Sequence, residues 1–398
     1  MARPKKEEKE VVQVNDDSDD IAKQLIKDIN REFGVRMAYN LSDNTAPTIV
    51  KQWISSRSLL LDYAIANKRG GGYPAGRIIE IAGLPSTGKS HLAYEAARSV
   101  QEAGGLVIYV DTENATPVEK LGDMGLDVTK RFVYIDTHTT EEVFSVIDSI
   151  IQKSKCLSDK GLPILAIWDS VAGTAPKAEL DAAYDANSMM LQARVLSKGF
   201  RKITGLLGQT GVTLMCINQL RMKMSTNPYS DPYTTPGGNA IPFHASVRIR
   251  LTGEGSQLKD AKGNVIGIKV PLKIIKNKVA PPFRNFSIEI LFGRGINEYE
   301  TLLDMGIDYC EENKYVERNG KRYELLGKGK SWKTFMVSTN DGEVLLEKKC
   351  TKNDFGDLFK DEAMKTLLLE FYDGVLTSVF SGVDETKETD VNPKTDEE

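Results

Sequence analysis

One stretch limits what this chain can become. Gly83-Leu84-Pro85-Ser86-Thr87-Gly88-Lys89-Ser90 fits the pattern G-x-x-x-x-G-K-[ST], between an apolar strand pattern from Arg77 to Ala82 and a helical run from His91 to Arg98. A strand feeding a glycine-rich turn that opens a helix aims backbone N–H groups and the positive end of the helix dipole at one spot. Gly83 and Gly88 let the backbone approach phosphates, Lys89 can reach β- and γ-phosphate oxygens, and the Ser90 hydroxyl can take a Mg²⁺ position. The candidate phosphate site is therefore Gly83, Leu84, Pro85, Ser86, Thr87, Gly88, Lys89, Ser90 and His91. The competing reading is a chance glycine-rich turn, and the flanking strand and helix argue against it.

A chain of 398 residues has room for about two domains. No apolar run approaches the ~18 residues of a membrane span, and Met1-Ala2-Arg3-Pro4-Lys5-Lys6 is followed by acids, so a cytoplasmic protein is expected. Cys156, Cys216, Cys310 and Cys350 lie far apart and read as reduced, mostly buried thiols. Of 52 Lys/Arg and 56 Asp/Glu residues, residues 1–20 hold four and seven and residues 381–398 hold two and seven. The body between the acidic ends is therefore mildly basic, which permits nucleic-acid binding.

Residues 1–19 read as disordered, as does the acidic tail 381–398. Ile21, Leu25, Ile26, Ile29 and Phe33 follow helical spacing, Gly34 stops the helix, and Val35 to Leu41 is a strand candidate. Strands are then expected at Leu106–Asp111, Arg131–Asp136, Ile164–Asp169 and Val212–Asn218, with helices at Ser90–Ala103, Thr140–Lys153 and Leu191–Leu207. That alternation argues for a mostly parallel sheet flanked by helices, the α/β class. Ligands bind at the carboxyl ends of such strands, so Asp111-Thr112-Glu113, Asp169-Ser170 and Asn218-Gln219 are expected to face the phosphate loop. Residues 220–238 read as a long functional loop, and Ser246–Leu251, Val270–Ile275 and Ser287–Leu291 as strands extending the sheet in antiparallel fashion. The rest divides into an arm at 20–47, a core at 48–292 and a small C-terminal α/β domain at 293–380, with a helix near Glu362–Tyr372.

Ile164 to Asp169 is an apolar strand ending in a carboxylate, the Walker B form, whose Asp169 would hold Mg²⁺ directly or through water. Glu113 could polarise a water for attack on a γ-phosphate, or simply cap a turn. Gln219 can donate to a γ-phosphate and accept from a water, which suits a sensor for the loop that follows; a buried amide satisfied by backbone is the alternative. Arg194, Ser197 and Arg201 recur on one face of the helix at Met189–Leu207 opposite an apolar side, and Arg221 and Lys223 open the next loop. Two basic segments beside one nucleotide site make a channel for a phosphate backbone, against the blander reading of a solvated face.

From Asp169-Ser170-Val171-Ala172-Gly173-Thr174-Ala175-Pro176-Lys177 the chain resembles the RecA family of DNA strand-exchange recombinases, including viral members. The resemblance continues through Ile217-Asn218-Gln219-Leu220-Arg221-Met222-Lys223, Thr234-Thr235-Pro236-Gly237-Gly238-Asn239, Lys276-Asn277-Lys278-Val279-Ala280 and Gly293-Arg294-Gly295-Ile296-Asn297, spanning about residues 20 to 335. It implies a helical homo-oligomeric filament on single-stranded DNA that pairs with homologous duplex DNA, ATP and Mg²⁺ held between protomers, and loading or single-strand-binding protein partners. By motif position, Lys89 and Ser90 hold phosphates and Mg²⁺, Glu113 is the general base, Asp169 the Walker B acid and Gln219 the sensor, while Lys276 and Lys278 reach a neighbour's ATP. The first DNA loop falls at 181–189 and the second at 220–236, with Met189, Arg194, Ser197, Arg201, Arg221, Lys223, Gly237, Gly238 and Asn239 on the DNA side. Phe243 enters the adjacent subunit, the helix and strand at 20–41 form the polymerisation arm, and the acidic end resembles a regulatory tail.

The chain also departs from the pattern. Thr116-Pro117-Val118-Glu119 stands where an adenine-stacking tyrosine is expected, and the second loop carries Tyr229 and Tyr233 in place of a Met-Phe pair. A ring-forming helicase motor and an ATP-switched DNA scaffold share enough of these motifs to remain alternatives at this point.

Overall fold

The computed structural model describes residues 17–43, 46, 48–114, 116–154, 160–181, 190–223, 231–253 and 255–381. Both predicted disordered ends lie almost wholly outside that set, as do Met189, Tyr229, Cys156, most of the expected first DNA loop and the middle of the expected second. The described chain forms two compact units, one ending at Lys51 and one starting at Gln52.

In the first unit, α1 spans Asp17–Phe33, so the helix starts a little before its expected first residue. Its apolar stripe is unburied, with Ile21, Leu25 and Phe33 more than half exposed. The strand expected at Val35 to Leu41 is not formed: the backbone there is irregular, then closes in a 3₁₀ turn at Leu41–Asp43. A strand exists only by pairing with another, and here a side chain takes that place. Asn30 Oδ1 accepts the amides of Met37 and Ala38 at 2.8 and 2.9 Å, and its Nδ2 donates to the Ala38 carbonyl at 3.0 Å.

The second unit opens with β1 (Trp53–Ile54), α2 (Leu59–Ala66) and β2 (Tyr73–Pro74). Then come β3 (Ile78–Gly83), α3 (Lys89–Glu102), β4 (Leu106–Asp111), α4 (Val118–Asp123), β5 (Phe132–Asp136), α5 (Thr140–Lys153), β6 (Ile164–Asp169), α6 (Lys177–Leu180), α7 (Leu191–Thr210) and β7 (Val212–Gln219). Local chemistry sets the ends: Thr139 Oγ1 caps α5 through the Glu142 amide at 3.1 Å, and Gly211 closes α7 in the left-handed region. The stretch expected to be loop holds a short hairpin, β8 (Arg221–Met222) against β9 (Tyr233–Thr234). After α8 (Ala240–His244) come β10 (Val247–Leu251), β11 (Ser256–Lys259), β12 (Val265–Asn277), β13 (Asn285–Leu291) and β14 (Gly295–Asn297).

These strands make one ten-stranded sheet in the order β14-β13-β12-β10-β3-β7-β6-β4-β5, with β11 beside β12. The antiparallel extension holds for β12 to β14 but not for β10, which pairs parallel with β3 because α8 carries the chain back to the amino end of the sheet first. Alternate residues of the buried strands feed two cores. Ile79, Ile81, Tyr109 and Ile167 pack under α3, whereas Ile78, Trp168 and Leu214 pack with Phe200 and Ile147 of α7 and α5.

Beyond the main sheet, α9 (Tyr299–Asn313) precedes an antiparallel sheet β15 (Val316–Arg318), β16 (Lys321–Leu326), β17 (Trp332–Thr339) and β18 (Val344–Thr351), closed by α10 (Glu362–Ser381). α10 runs well past the expected Tyr372, and its Phe371, Tyr372 and Leu376 share a third core with Tyr323, Phe335 and α2's Leu60 and Tyr63. Glu298 joins this region to α2, accepting from Ser58 Oγ at 2.6 Å and the Leu59 amide at 2.5 Å.

Nearby Asp62 is buried and takes Ser55 Oγ, Ser56 Oγ and the Ser56 amide at 2.6 to 2.7 Å. Burial pushes its carboxyl from 3.8 up to about 7, against those hydrogen bonds and with help from Glu298. A carboxyl raised on folding contributes stability that is fully present below its unfolded value and lost as pH rises toward the folded one. Asp62→Asn should therefore melt increasingly above the parent as pH climbs from about 4 to 7, in thermal melts taken across that range. Parallel melting curves would contradict this account of Asp62.

Candidate functional site

The phosphate loop runs from β3 into α3 as expected. Gly88 sits at φ +91° as the residue before α3, and no side chain caps the helix start, so its first amides are open to an anion. A Cβ on Gly83 would lie 2.6 Å from Thr87 Oγ1, and one on Gly88 would lie 2.5 Å from Ile290 Cδ1. A side chain would be crowded at both glycines, and of the two Gly88 also needs a left-handed backbone. Lys89 Nζ crosses the loop to the Leu84 carbonyl at 2.7 Å, and Thr87 Oγ1 donates to the same oxygen at 2.8 Å. Burial holds the Lys89 ammonium below its ordinary range, and Asp169 and Glu113 push the other way. Pro85 and Ser86 form the exposed crest, while His91 turns along α3 to within 3.7 Å of Glu95.

Ser90 Oγ donates to Asp169 Oδ2 at 2.8 Å, which brings the expected metal-holding pair together. Burial raises the Asp169 carboxyl; hydrogen bonds from Tyr109 and Ser90 lower it, and Glu113 and Asp111 raise it further. One strand over, Glu113 Oε1 accepts Ser170 Oγ at 2.5 Å and Gln219 Nε2 at 3.3 Å. Strand register produces this convergence, because Asp111 pairs with Asp169 and Gly83 with Gln219, so these ends lie along one rim.

Three expected members of the rim turn elsewhere: Thr112 is buried, its Oγ1 donating to the Ser170 carbonyl at 2.9 Å. Asp111 folds its Oδ1 onto the amides of Glu113 and Asn114, at 3.0 and 2.8 Å, and so shapes the Glu113 turn instead of facing the loop. Asn218 is fully buried, donating to Glu80 Oε1 at 3.0 Å beneath the sheet. Side chains alternate along a strand, so Asn218 must point away from the face that Gln219 occupies.

The paired lysines lie on the far side of β10. Lys276 Nζ donates to the Pro242 and Phe243 carbonyls at 2.7 and 2.9 Å, closing the end of α8. Burial first, then Lys278 and Arg248, lower it to about 8. Lys278 is exposed, and Phe243 projects from α8 with three quarters of its surface in solvent. Thr204 Oγ1 meets His244 Nδ1 at 3.1 Å, which ties α8 to α7.

On α7, Arg194 and Arg201 are exposed and Ser197 half-buried on the expected face. Arg221 and Lys223 are exposed at the root of the hairpin, whose other arm is held by Asp231 Oδ2 on Arg250 at 2.6 Å. Gly237, at φ +88°, is buried where a Cβ would lie 2.3 Å from Leu196, and Gly238 lies against Ala193, so both seat the loop's end on α7. Asn239 is exposed beside them. Ser170 lies on the rim as expected, whereas Tyr109, which reads in the sequence as one more buried strand position, joins the site through Asp169.

A family described as the RecA N-terminal domain matches residues 20–297. The chain is similar to "Protein RecA" of Borrelia hermsii, 33% identical over 338 residues, covering 84% of this chain and 90% of that one. The protein of the same name from Desulforapulum autotrophicum is 35% identical over 306 residues, 76% and 82% of the two chains. That from Rippkaea orientalis is 36% identical over 313 residues, 79% and 84%.

The crowding at the loop makes a measurable prediction. Gly88→Ala should lower the unfolding free energy by roughly 1–3 kcal/mol, because a left-handed backbone and a buried isoleucine must both yield. Urea denaturation checks it, and an unchanged midpoint would mean that Ile290 moves aside freely.

Proposed function

The chain belongs to the RecA family of DNA-dependent ATPases and recombinases, and from that premise we propose how its own residues divide the work. Its activity is ATP-dependent homologous pairing and strand exchange by a filament on DNA. The observation that carries the residue assignment is the Gln219–Glu113 hydrogen bond of 3.3 Å, because it joins the candidate base to the strand that continues into the second DNA loop.

The residues suit a magnesium nucleotide. An uncapped helix start and the glycines at either end of the loop form the phosphate cradle, and a hydroxyl and a carboxylate 2.8 Å apart are hard oxygen donors. Bound there, ATP supplies the transferable phosphoryl group and Mg²⁺ neutralises its charge. Residues 83–91 hold the phosphates, with Lys89 exchanging the Leu84 carbonyl for phosphate oxygens. Ser90 and Asp169 hold the metal. Glu113, oriented by Ser170, takes the proton of the attacking water. Gln219 trades its bond to Glu113 for one to the γ-phosphate and so reports nucleotide state to the hairpin at Arg221.

Lys276 and Lys278 act on a neighbouring protomer's nucleotide. Lys276 is poised for this, since its bonds to two carbonyls at the end of α8 are exchangeable and lie beside the exposed Phe243 that the next protomer covers. The unburied stripe of α1 is the polymerisation surface. Arg194, Ser197, Arg201, Arg221 and Lys223, with Met189, Gly237, Gly238 and Asn239, line the single-stranded DNA path, where backbone contacts leave sequence preference nearly absent. Among the described residues no helix is long and apolar enough to cross a membrane. The proposed setting is the cytoplasm, with homologous duplex DNA and loading or single-strand-binding proteins as partners.

Three-strand exchange with homologous and heterologous DNA, with and without ATP, tests this reading. Lys89→Ala should abolish hydrolysis and exchange, while Glu113→Gln should assemble on DNA with ATP yet fail to turn it over. Full exchange by the first variant, or parental turnover by the second, would remove those assignments. Arg201→Ala should weaken single-stranded DNA binding and reduce the slope of log affinity against log salt by about one. An unchanged slope in fluorescence titrations would take Arg201 off the DNA path.

A further inference from the structure

A tyrosine inside the core reaches the metal-holding carboxylate. Tyr109, on β4, is fully buried, and its hydroxyl donates to Asp169 Oδ2 at 2.6 Å. The same oxygen accepts Ser90 Oγ at 2.8 Å, while among the described residues Oδ1 accepts no hydrogen bond. Two other hydroxyls lie near Tyr109, those of Tyr94 and Thr116, each at 3.3 Å. A phenol has one proton to give, and the short contact to a carboxylate outcompetes two long contacts to neutral oxygens.

The ring is fixed as firmly as the hydroxyl. It stacks on Phe132 and Tyr134 of β5 at 6.3 and 6.4 Å and tilts against Tyr94 of α3 at 5.9 Å. Asp169 is thereby gripped from two sides, by Ser90 on the phosphate-loop helix and by Tyr109 on the neighbouring strand. Ser90 belongs to the metal site itself and must reorient its lone pairs when the metal binds. Tyr109 has no such second task.

We propose that Tyr109 is a positioning residue for the magnesium site, fixing Oδ2 of Asp169 from within the core so that the carboxylate meets Mg²⁺ or its water in one orientation. The inference rests on the assignment of Ser90 and Asp169 to Mg²⁺ made above. Groups that orient metal-holding side chains in this way strongly influence metal affinity without touching the ion.

Tyr109→Phe removes one oxygen and keeps the stacked ring. The probe is a fluorescent ATP analogue, whose binding to the full chain is titrated with Mg²⁺ in the absence of DNA, so that no turnover is read. The variant should need about tenfold more Mg²⁺ for half-maximal Mg²⁺-dependent binding. Its affinity for the analogue in excess chelator should stay within about twofold of the parent. Tyr94→Phe, which alters the contact to Tyr109 but touches no metal-holding group, controls for packing and should leave the Mg²⁺ requirement in place. The proposal fails if Tyr109→Phe follows the parent's Mg²⁺ curve, or if Tyr94→Phe shifts that curve equally. A parent whose binding ignores Mg²⁺ altogether would instead overturn the metal assignment, and this proposal with it.

Discussion

The space missing at two glycines governs this molecule. Gly83 ends β3 and Gly88 turns the chain into α3, where a Cβ would crowd Thr87 or Ile290, and Ile290 belongs to β13, two strands beyond the parallel part of the sheet. The antiparallel wing is therefore one wall of the nucleotide cradle. Ile268 of β12 lies 3.9 Å from the same point and is paired with Ile290 across the β12–β13 ladder. Close packing leaves such a wall few ways to yield.

A second constraint runs beneath the sheet. Glu80 is fully buried at the centre of β3, yet it accepts Arg248 Nε at 2.5 Å and Asn218 Nδ2 at 3.0 Å. A buried carboxylate is tolerable only with such partners, and breaking the set by removing one would leave an uncompensated charge. The three side chains come from β10, β3 and β7, and Asn218 also reaches toward the Pro236 carbonyl at 3.5 Å, just after the β8–β9 hairpin. Above the sheet Gln219 contacts Glu113, and below it Asn218 contacts the loop's end. Adjacent residues of β7 thus hold Glu113 on one face of the sheet and the chain after the hairpin on the other.

The C-terminal region is secured to the core by buried polar contacts as well as by the shared core around Leu60 and Tyr63. Arg284 donates to the Tyr63 and Ala64 carbonyls at 3.1 and 2.8 Å and to the Phe380 carbonyl at 2.7 Å, so one guanidinium closes the ends of α2 and α10 together. Glu298 does the converse at the start of α2, accepting its amides. A helix end buried without partners would be costly, and these two residues supply them from opposite charges.

Much of this was legible in the linear sequence because it depends on neighbours along the chain. A glycine turn between an apolar strand and a helix and apolar strands ending in Asp111 and Asp169 are local patterns, and these elements formed where their residues called for them, whereas the strand expected at Val35 to Leu41 did not. The side-chain partners were not legible. Asn30 taking the backbone at Met37 and Ala38, Lys276 resting on the carbonyls of α8, and Tyr109 gripping Asp169 all join residues whose meeting depends on turns and strand order. Periodicity gives Tyr109 the same signal as any buried position. Only the placement of β4 beside β6 makes its hydroxyl part of the site, because the sequence sets which atoms are available and the packed sheet decides which of them come within bonding distance.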